Sequence, residues 1–131
     1  MEIVELKIKT TTSVSLKNIT SDIQNVLDQR KKIINNGVIT VFIPHTTAAV
    51  TVNETADPSV CRDLESAFKK LVPNIPYEHM EGNSPAHLLS SLVGTSIIIP
   101  VKNNRLELGT WQGILFCEFD GPRTRTVIIA L

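Results

Sequence analysis

Every stretch with helical periodicity lies before Gly94, and beyond it the chain reads as strand alone. The segments Ser96 to Val101, Leu106 to Leu108, Gly113 to Phe119 and Thr124 to Leu131 are apolar and β-branched, with turns expected at Asn103-Asn104 and Gly121-Pro122. A doubly wound parallel sheet needs a helix between successive strands, so this run favours an α+β fold with a mostly antiparallel sheet packed against about three helices. With 131 residues, 42% of them hydrophobic, the chain has apolar material for one core, and residues 1–131 are expected to form a single domain.

The first half supplies the helices. Val4, Leu6 and Ile8 alternate with Glu5, Lys7 and Lys9, the period of a half-buried strand, and Val14 to Leu16 continues as a second extended piece. Ile19, Ile23, Val26 and Leu27 fall at helical spacing, with Ser21 and Gln24 as a capping box and Asn36-Gly37 as the expected stop. Val38 to Ile43 reads as a buried strand, and Ala48 to Val52, after the interruption at Pro44-His45-Thr46-Thr47, as a strand able to pair back on it. Asp57 and Pro58 announce a second helix with the stripe Val60, Leu64, Ala67, Phe68 and Leu71, closed by Pro73. A third runs from Ser84-Pro85 to Gly94, after an irregular stretch from Asn74 to Asn83 of a length that often carries function.

Thirteen Lys+Arg balance thirteen Asp+Glu, so no global field draws the chain to nucleic acid or to an acidic membrane, and anion binding must be local. No signal-peptide pattern opens the sequence, no apolar run is long enough to span a bilayer, and Cys61 and Cys117 show no CxxC spacing. Together these features point to a cytoplasmic protein with two reduced thiols.

All three histidines sit beside turns or caps: His45 after Pro44, His79 in the irregular loop and His87 in the first turn of the third helix. Three imidazoles meeting at one place would suffice for an open metal site, zinc or magnesium being the divalent candidates; the spacings match no zinc motif, and the alternative is three independent, hydrogen-bonded or solvated histidines. Glu54 and Glu118 are candidate general acids or bases, Glu118 because a carboxyl buried among apolar neighbours can have a raised pKa; the alternative is that Glu118 simply alternates outward from Phe116 and Phe119. Asp57 reads more simply as a helix cap. Trp111, bracketed by Gly109 and Gly113, is a ligand platform or a core anchor beside a bulge. Arg123 and Arg125, two apart, share a strand face and suit phosphate; the alternative is a salt-bridged edge.

The segments Pro44-His45-Thr46-Thr47-Ala48-Ala49, Asn53-Glu54, Tyr77-Glu78-His79, Gly82-Asn83 and Ala86-His87-Leu88 resemble the YjbQ-like family. The likeness is most specific in Leu106-Glu107-Leu108-Gly109-Thr110-Trp111-Gln112-Gly113-Ile114 and Glu118-Phe119-Asp120-Gly121-Pro122-Arg123, followed by Arg125. It runs from the first strand to the last residue. The resemblance implies an α+β homotrimer and a site to which His45, His79 and His87 contribute, with Asn83, Trp111, Gln112, Arg123 and Arg125 toward a small phosphorylated molecule. It also implies a secondary thiamine-phosphate synthase: a transferase joining a hydroxymethylpyrimidine diphosphate to a thiazole phosphate with release of pyrophosphate. A non-catalytic trimer binding a small anion or metabolite, and a metal-dependent hydrolase, are the alternatives. One departure stands out, since the family often has Asp-Asn where this chain has Gly82-Asn83, with Glu81 one place earlier.

Overall fold

The computed structural model describes residues 1–131. The chain runs β1 (Ile3–Lys9), β2 (Ser15–Asn18), α1 (Thr20–Gln29), β3 (Asn36–Phe42), β4 (Ala48–Glu54), α2 (Pro58–Leu71), α3 (Ser84–Val93), β5 (Ser96–Lys102), β6 (Arg105–Leu106), β7 (Gln112–Glu118) and β8 (Thr124–Ala130). The strands form a five-stranded sheet in the order β1-β8-β3-β5-β6 and a three-stranded sheet in the order β2-β7-β4. Every pairing is antiparallel, as expected of the α+β class. No helix is long and apolar enough to cross a membrane.

Alternation explains the layering. Ile39 and Val41 of β3, Ile99 and Val101 of β5, and Val127 and Ile129 of β8 point inward and meet Ala48 and Val50 of β4, Ile114 and Phe116 of β7, and the α1 stripe Ile19, Ile23, Val26 and Leu27. The opposite face of the small sheet, through Ala49, Cys117 and the following Phe119, packs on Ala86 and Leu89 of α3, with Phe68 of α2 edge-on to Phe119. β7 is thus buried on both faces, which explains why it reads as an unbroken apolar run.

Three local expectations are corrected. α1 stops at Gln29, well before Asn36-Gly37, and both of those residues belong to β3. Ser21 and Gln24 form no capping box: Asn18 Oδ1 accepts from the Thr20 amide and hydroxyl, while Gln24 bonds Asn104 O and the Leu106 amide, tying α1 to the β5-β6 hairpin. β4 does not pair back on β3, because Pro44 to Thr47 carries the chain from one sheet to the other and β4 pairs with β7. The strong signals hold. Asp57 caps α2 by accepting from the Ser59 amide at 2.9 Å with Pro58 in the first turn, and Asn103 and Asn104 take positive φ in the β5-β6 turn. Cys61 and Cys117 are free, Cys61 half-buried and Cys117 fully buried, where burial pushes its thiol up to about 12.

Candidate functional site

The two sheets are clamped at one end by a buried ion pair. Arg125 lies on the inward face of β8, and its Nε and Nη2 donate to the carboxylate of Glu118, the last residue of β7. Nη2 also donates to the carbonyl and hydroxyl oxygens of Thr47, in the loop that crosses between the sheets. The Thr10 hydroxyl at 2.6 Å and the Asp120 amide at 3.1 Å complete the shell of Glu118, which is wholly buried. Burial alone would raise the pKa of Glu118, but hydrogen bonds from Arg125, Thr10 and Asp120 outweigh it and hold the carboxyl below its ordinary value. The sequence expectation of a raised pKa is therefore corrected: Glu118 is an ionised anchor for Arg125, unsuited to taking up protons near neutral pH.

A cleft of about 460 Å³ opens over this clamp, and His45, His79, His87, Asn83, Arg123 and Arg125 all line it. Five other residues line it that were not candidate site residues, Pro44, Thr46, Thr47, Glu81 and Asp120. Asp120 had a signal, its position just before the Gly121-Pro122 turn and three residues from Arg123. Arg123 Nη2 lies 2.9 Å from Asp120 Oδ2, and that same oxygen accepts from Asn83 Nδ2 at 3.0 Å. Both arginines therefore serve as ion-pair partners as well as cleft lining. Arg125 Nη1 is the exception, since it donates to no group in the protein.

Glu54, Trp111 and Gln112 lie elsewhere. Register pairs Glu54 with Gln112 and Ala48 with Glu118, so these residues sit a full length of β7 from the clamp, roughly 20 Å at about 3.4 Å per residue. Glu54 therefore has no route to the cleft chemistry within one copy of the chain, and neither does Gln112, whose Oε1 instead accepts from the Gly109 amide. Trp111 is 63% exposed in that turn and anchors no core.

The metal expectation meets a geometric obstacle. His79 and His87 stand edge to face with ring centroids 5.4 Å apart, and His79 Nε2 is 3.9 Å from Glu81. His45 is committed otherwise: β3 leaves β8 after Phe42, and the Thr126 amide just past that point donates to His45 Nε2 at 2.9 Å. An imidazole accepting at Nε2 carries its proton on Nδ1, so neither nitrogen offers a lone pair to a cation. No three His, Cys, Asp or Glu side chains approach closely enough to hold a metal ion. The residues as arranged do not fit a three-histidine metal centre.

Burial and then the charge of Arg125 lower the pKa of His45 from its ordinary 6.5. The Thr126 bond acts in the same direction, because it exists only while Nε2 is unprotonated. With the folded pKa below the unfolded one, this contribution to stability is present above pH 6.5 and is lost as pH falls through the depressed value. The expected result of an NMR titration is a His45 midpoint below 6.5; a midpoint at or above it would show that the Thr126 contact does not persist in solution.

The chain matches the family described as UPF0047 protein YjbQ-like over residues 4–131. It is 47% identical over 128 residues to the UPF0047 protein YugU of Bacillus subtilis, spanning 96% of each chain. With a UPF0047 protein of Methanocaldococcus jannaschii it shares 44% identity over 126 residues, 95% of this chain and 90% of the other. Among solved structures, a hypothetical protein from Aeropyrum pernix K1 superposes with a TM-score of 0.91 at 40% identity, over 99% of this chain and 97% of that one. An uncharacterised conserved protein of the same family from Clostridium acetobutylicum gives 0.90 at 44% identity, over 97% and 98%. These names carry no activity, and another similar structure, from Sulfolobus solfataricus, is of a protein of unknown function. The expectation of a thiamine-phosphate-forming transferase is therefore corrected, since nothing among the relatives supports it. With a match that spans nearly the whole chain and relatives at this level of identity, the protein belongs to the UPF0047 YjbQ-like family.

Proposed function

We propose that the cleft binds a small phosphorylated molecule, with the phosphate received by Arg125. The observation that carries this reading is the free Nη1 of Arg125: the rest of the guanidinium is fixed by Glu118 and Thr47, so this edge is pre-aimed and loses little entropy on meeting an oxyanion. Arg123 is the second donor, placed by Asp120. Because carboxylates already balance both guanidiniums, recognition rests on directed hydrogen bonds more than on a net field.

Calorimetry with inorganic phosphate tests this. Arg125→Lys keeps a cation beside Glu118 but removes the planar fork, and Arg123→Ala removes the second donor. Each is expected to weaken phosphate binding by on the order of tenfold to a hundredfold, the equivalent of losing a charge-assisted hydrogen bond of roughly 1.5–3 kcal/mol. Wild-type affinity in both folded variants would sink the reading.

The homotrimer implied by the family resemblance belongs to the same proposal. Val38 and Phe42 of β3 and Ile98 of β5 are 58%, 41% and 67% exposed on the outer face of the large sheet, with Ile128 opposite Phe42 and Pro100 opposite Val38. Neighbouring apolar groups on an uncovered sheet face favour burial against another copy. Light scattering is expected to give three times the 14.5 kDa chain mass, and Ile98→Asp is expected to lower it to the monomer value. A monomeric wild type at micromolar concentration overturns the trimer.

A further inference from the structure

We propose that the phosphorylated molecule is a polyhydroxylated one, such as a sugar or polyol phosphate, whose uncharged hydroxyl-bearing part lies in a second depression next to the phosphate cleft. This rests on the phosphate reading above and narrows it to a ligand class. The second depression, of about 400 Å³, shares His45, Thr46 and His87 with the first, so the two meet at those residues. Together they form a groove with one end that carries the two arginines and their carboxylate partners and another end that carries no Lys, Arg, Asp or Glu.

The neutral end decides the class. Besides the shared residues it is lined by Ser90, Ser91, Gly94 and Thr95, with no Lys, Arg, Asp or Glu and no apolar side chain. A second phosphate there would lose its hydration without a cation to replace it, and an aromatic or aliphatic tail would meet only polar groups. Ligand sites are usually lined mostly by apolar side chains, so a wall of hydroxyls, imidazole edges and backbone is itself selective.

The hydrogen-bonding capacity of this end is available. Ser91 Oγ donates to His87 O at 2.9 Å and Ser90 Oγ to Ala48 O at 2.6 Å, which leaves their lone pairs as acceptors. The hydroxyls of Thr46 and Thr95 make no bond within the protein. His45, locked by Thr126, offers Nδ1–H as a donor at the junction. Gly94 has φ 98, and a Cβ added there would meet nothing within 4 Å, so the floor is open. On the phosphate side, Asn83 Oδ1 is a buried acceptor without a donor, oriented by the Nδ2 bond to Asp120. A ligand hydroxyl would satisfy it after a small shift of the wall. Uncharged acceptors and donors lining one wall are the complement of a chain of hydroxyls.

The test compares inorganic phosphate, ribose 5-phosphate and phenyl phosphate by calorimetry on the wild type, on Ser91→Trp and on Thr95→Leu. Both substitutions fill or dry the second depression without touching either arginine, and Ser91 is exposed on α3. In the wild type, ribose 5-phosphate is expected to bind at least about tenfold tighter than inorganic phosphate, with phenyl phosphate no tighter than the inorganic ion. In the variants that advantage is expected to vanish while inorganic phosphate binds as before. If ribose 5-phosphate gains nothing over phosphate, or keeps its gain in both folded variants, the second depression is not its site and the inference falls while the phosphate reading stands. If inorganic phosphate itself fails to bind the wild type, both fall together.

Discussion

Arg125→Ala is expected to cost the fold about 3–5 kcal/mol, the range for stripping one partner from a buried ion pair. Glu118 would be left as a carboxylate with no exposure, keeping only the Thr10 and Asp120 donors. On a chain of this size that is roughly a 10–20 °C fall in Tm, at about 3–4 °C per kcal/mol. The acid response is expected to change sign as well. In the wild type the depressed pKa of Glu118 contributes stability above its ordinary 4.5 that is lost as pH falls through the folded value. Without Arg125, burial, the largest single influence on this carboxyl, is opposed only by the Thr10 and Asp120 bonds and is expected to push it upward, so the variant should gain relative stability as pH falls. Urea denaturation at neutral and mildly acid pH measures both effects. The double variant Arg125→Met with Glu118→Leu removes the charges together and is expected to recover most of the loss, as apolar replacements of buried pairs often do. It should still fail to bind phosphate. A single variant as stable as the wild type would mean that the pair is not buried in solution.

How far the sequence could be read follows from the range of the interactions involved. α2 and the β5-β6 turn were legible because Asp57-Pro58 and Asn103-Asn104 act within a few residues of themselves. The stop of α1 was not, since Gln24 is engaged by Asn104 and Leu106, far along the chain, and Gly37 is used by β3 instead of ending a helix. The partner of β4 is not legible for the same reason: alternation tells which face is apolar but not which strand lies alongside. At the site, the turn and cap positions of His45, His79 and His87 point to one cleft only together with the family resemblance, since their spacing alone leaves them independent. The tautomer of His45 did not show, because it is set by an amide that β3 leaves unpaired on β8. The direction of the Glu118 pKa shift is not legible in the sequence because its apolar neighbours conceal Thr10 and Arg125, which reach it from the end of β1 and from β8 respectively.

The clamp also explains how a chain with zero net charge can present a usable cation. A guanidinium in open solvent samples many rotamers and gains little from any one contact. Two of the three guanidinium nitrogens of Arg125, Nε and Nη2, are taken up by Glu118 and Thr47, so the same bonds that join the sheets also fix the orientation of a side chain that lines the cleft. Under the proposed phosphate reading, stability and recognition depend on one side chain. The turn beyond β7 touches Glu118 and Thr10 on one side and leads to Arg123 on the other, so it tests that dependence from a second position.

Gly121→Ala is the substitution that tests this turn. A Cβ at Gly121 would lie 2.2 Å from the Thr12 carbonyl oxygen, 2.9 Å from Glu118 Cγ and 3.0 Å from Thr10 Oγ1. The first contact is with backbone, and the Gly121 amide holds the turn against that same segment by donating to Ser13 O at 3.1 Å. No side-chain rotation relieves it, so the turn must move. The expected loss of stability is at the upper end of the roughly 1–3 kcal/mol found for overpacking. Asp120 precedes the turn and Arg123 follows it, and the two are bonded to each other, so both should shift together. Phosphate binding is expected to fall by on the order of tenfold or more, the loss of one charge-assisted bond, even with Arg125 in place. Gly82→Ala is the control: φ is 76 there and nothing lies within 4 Å of the added carbon, so only the left-handed strain of roughly 1–2 kcal/mol applies. Urea denaturation and phosphate calorimetry on both variants read the difference. If Gly121→Ala retains wild-type stability and affinity, the close packing of the turn on Thr10 to Ser13 is wrong, and with it the placement of Arg123 over the cleft.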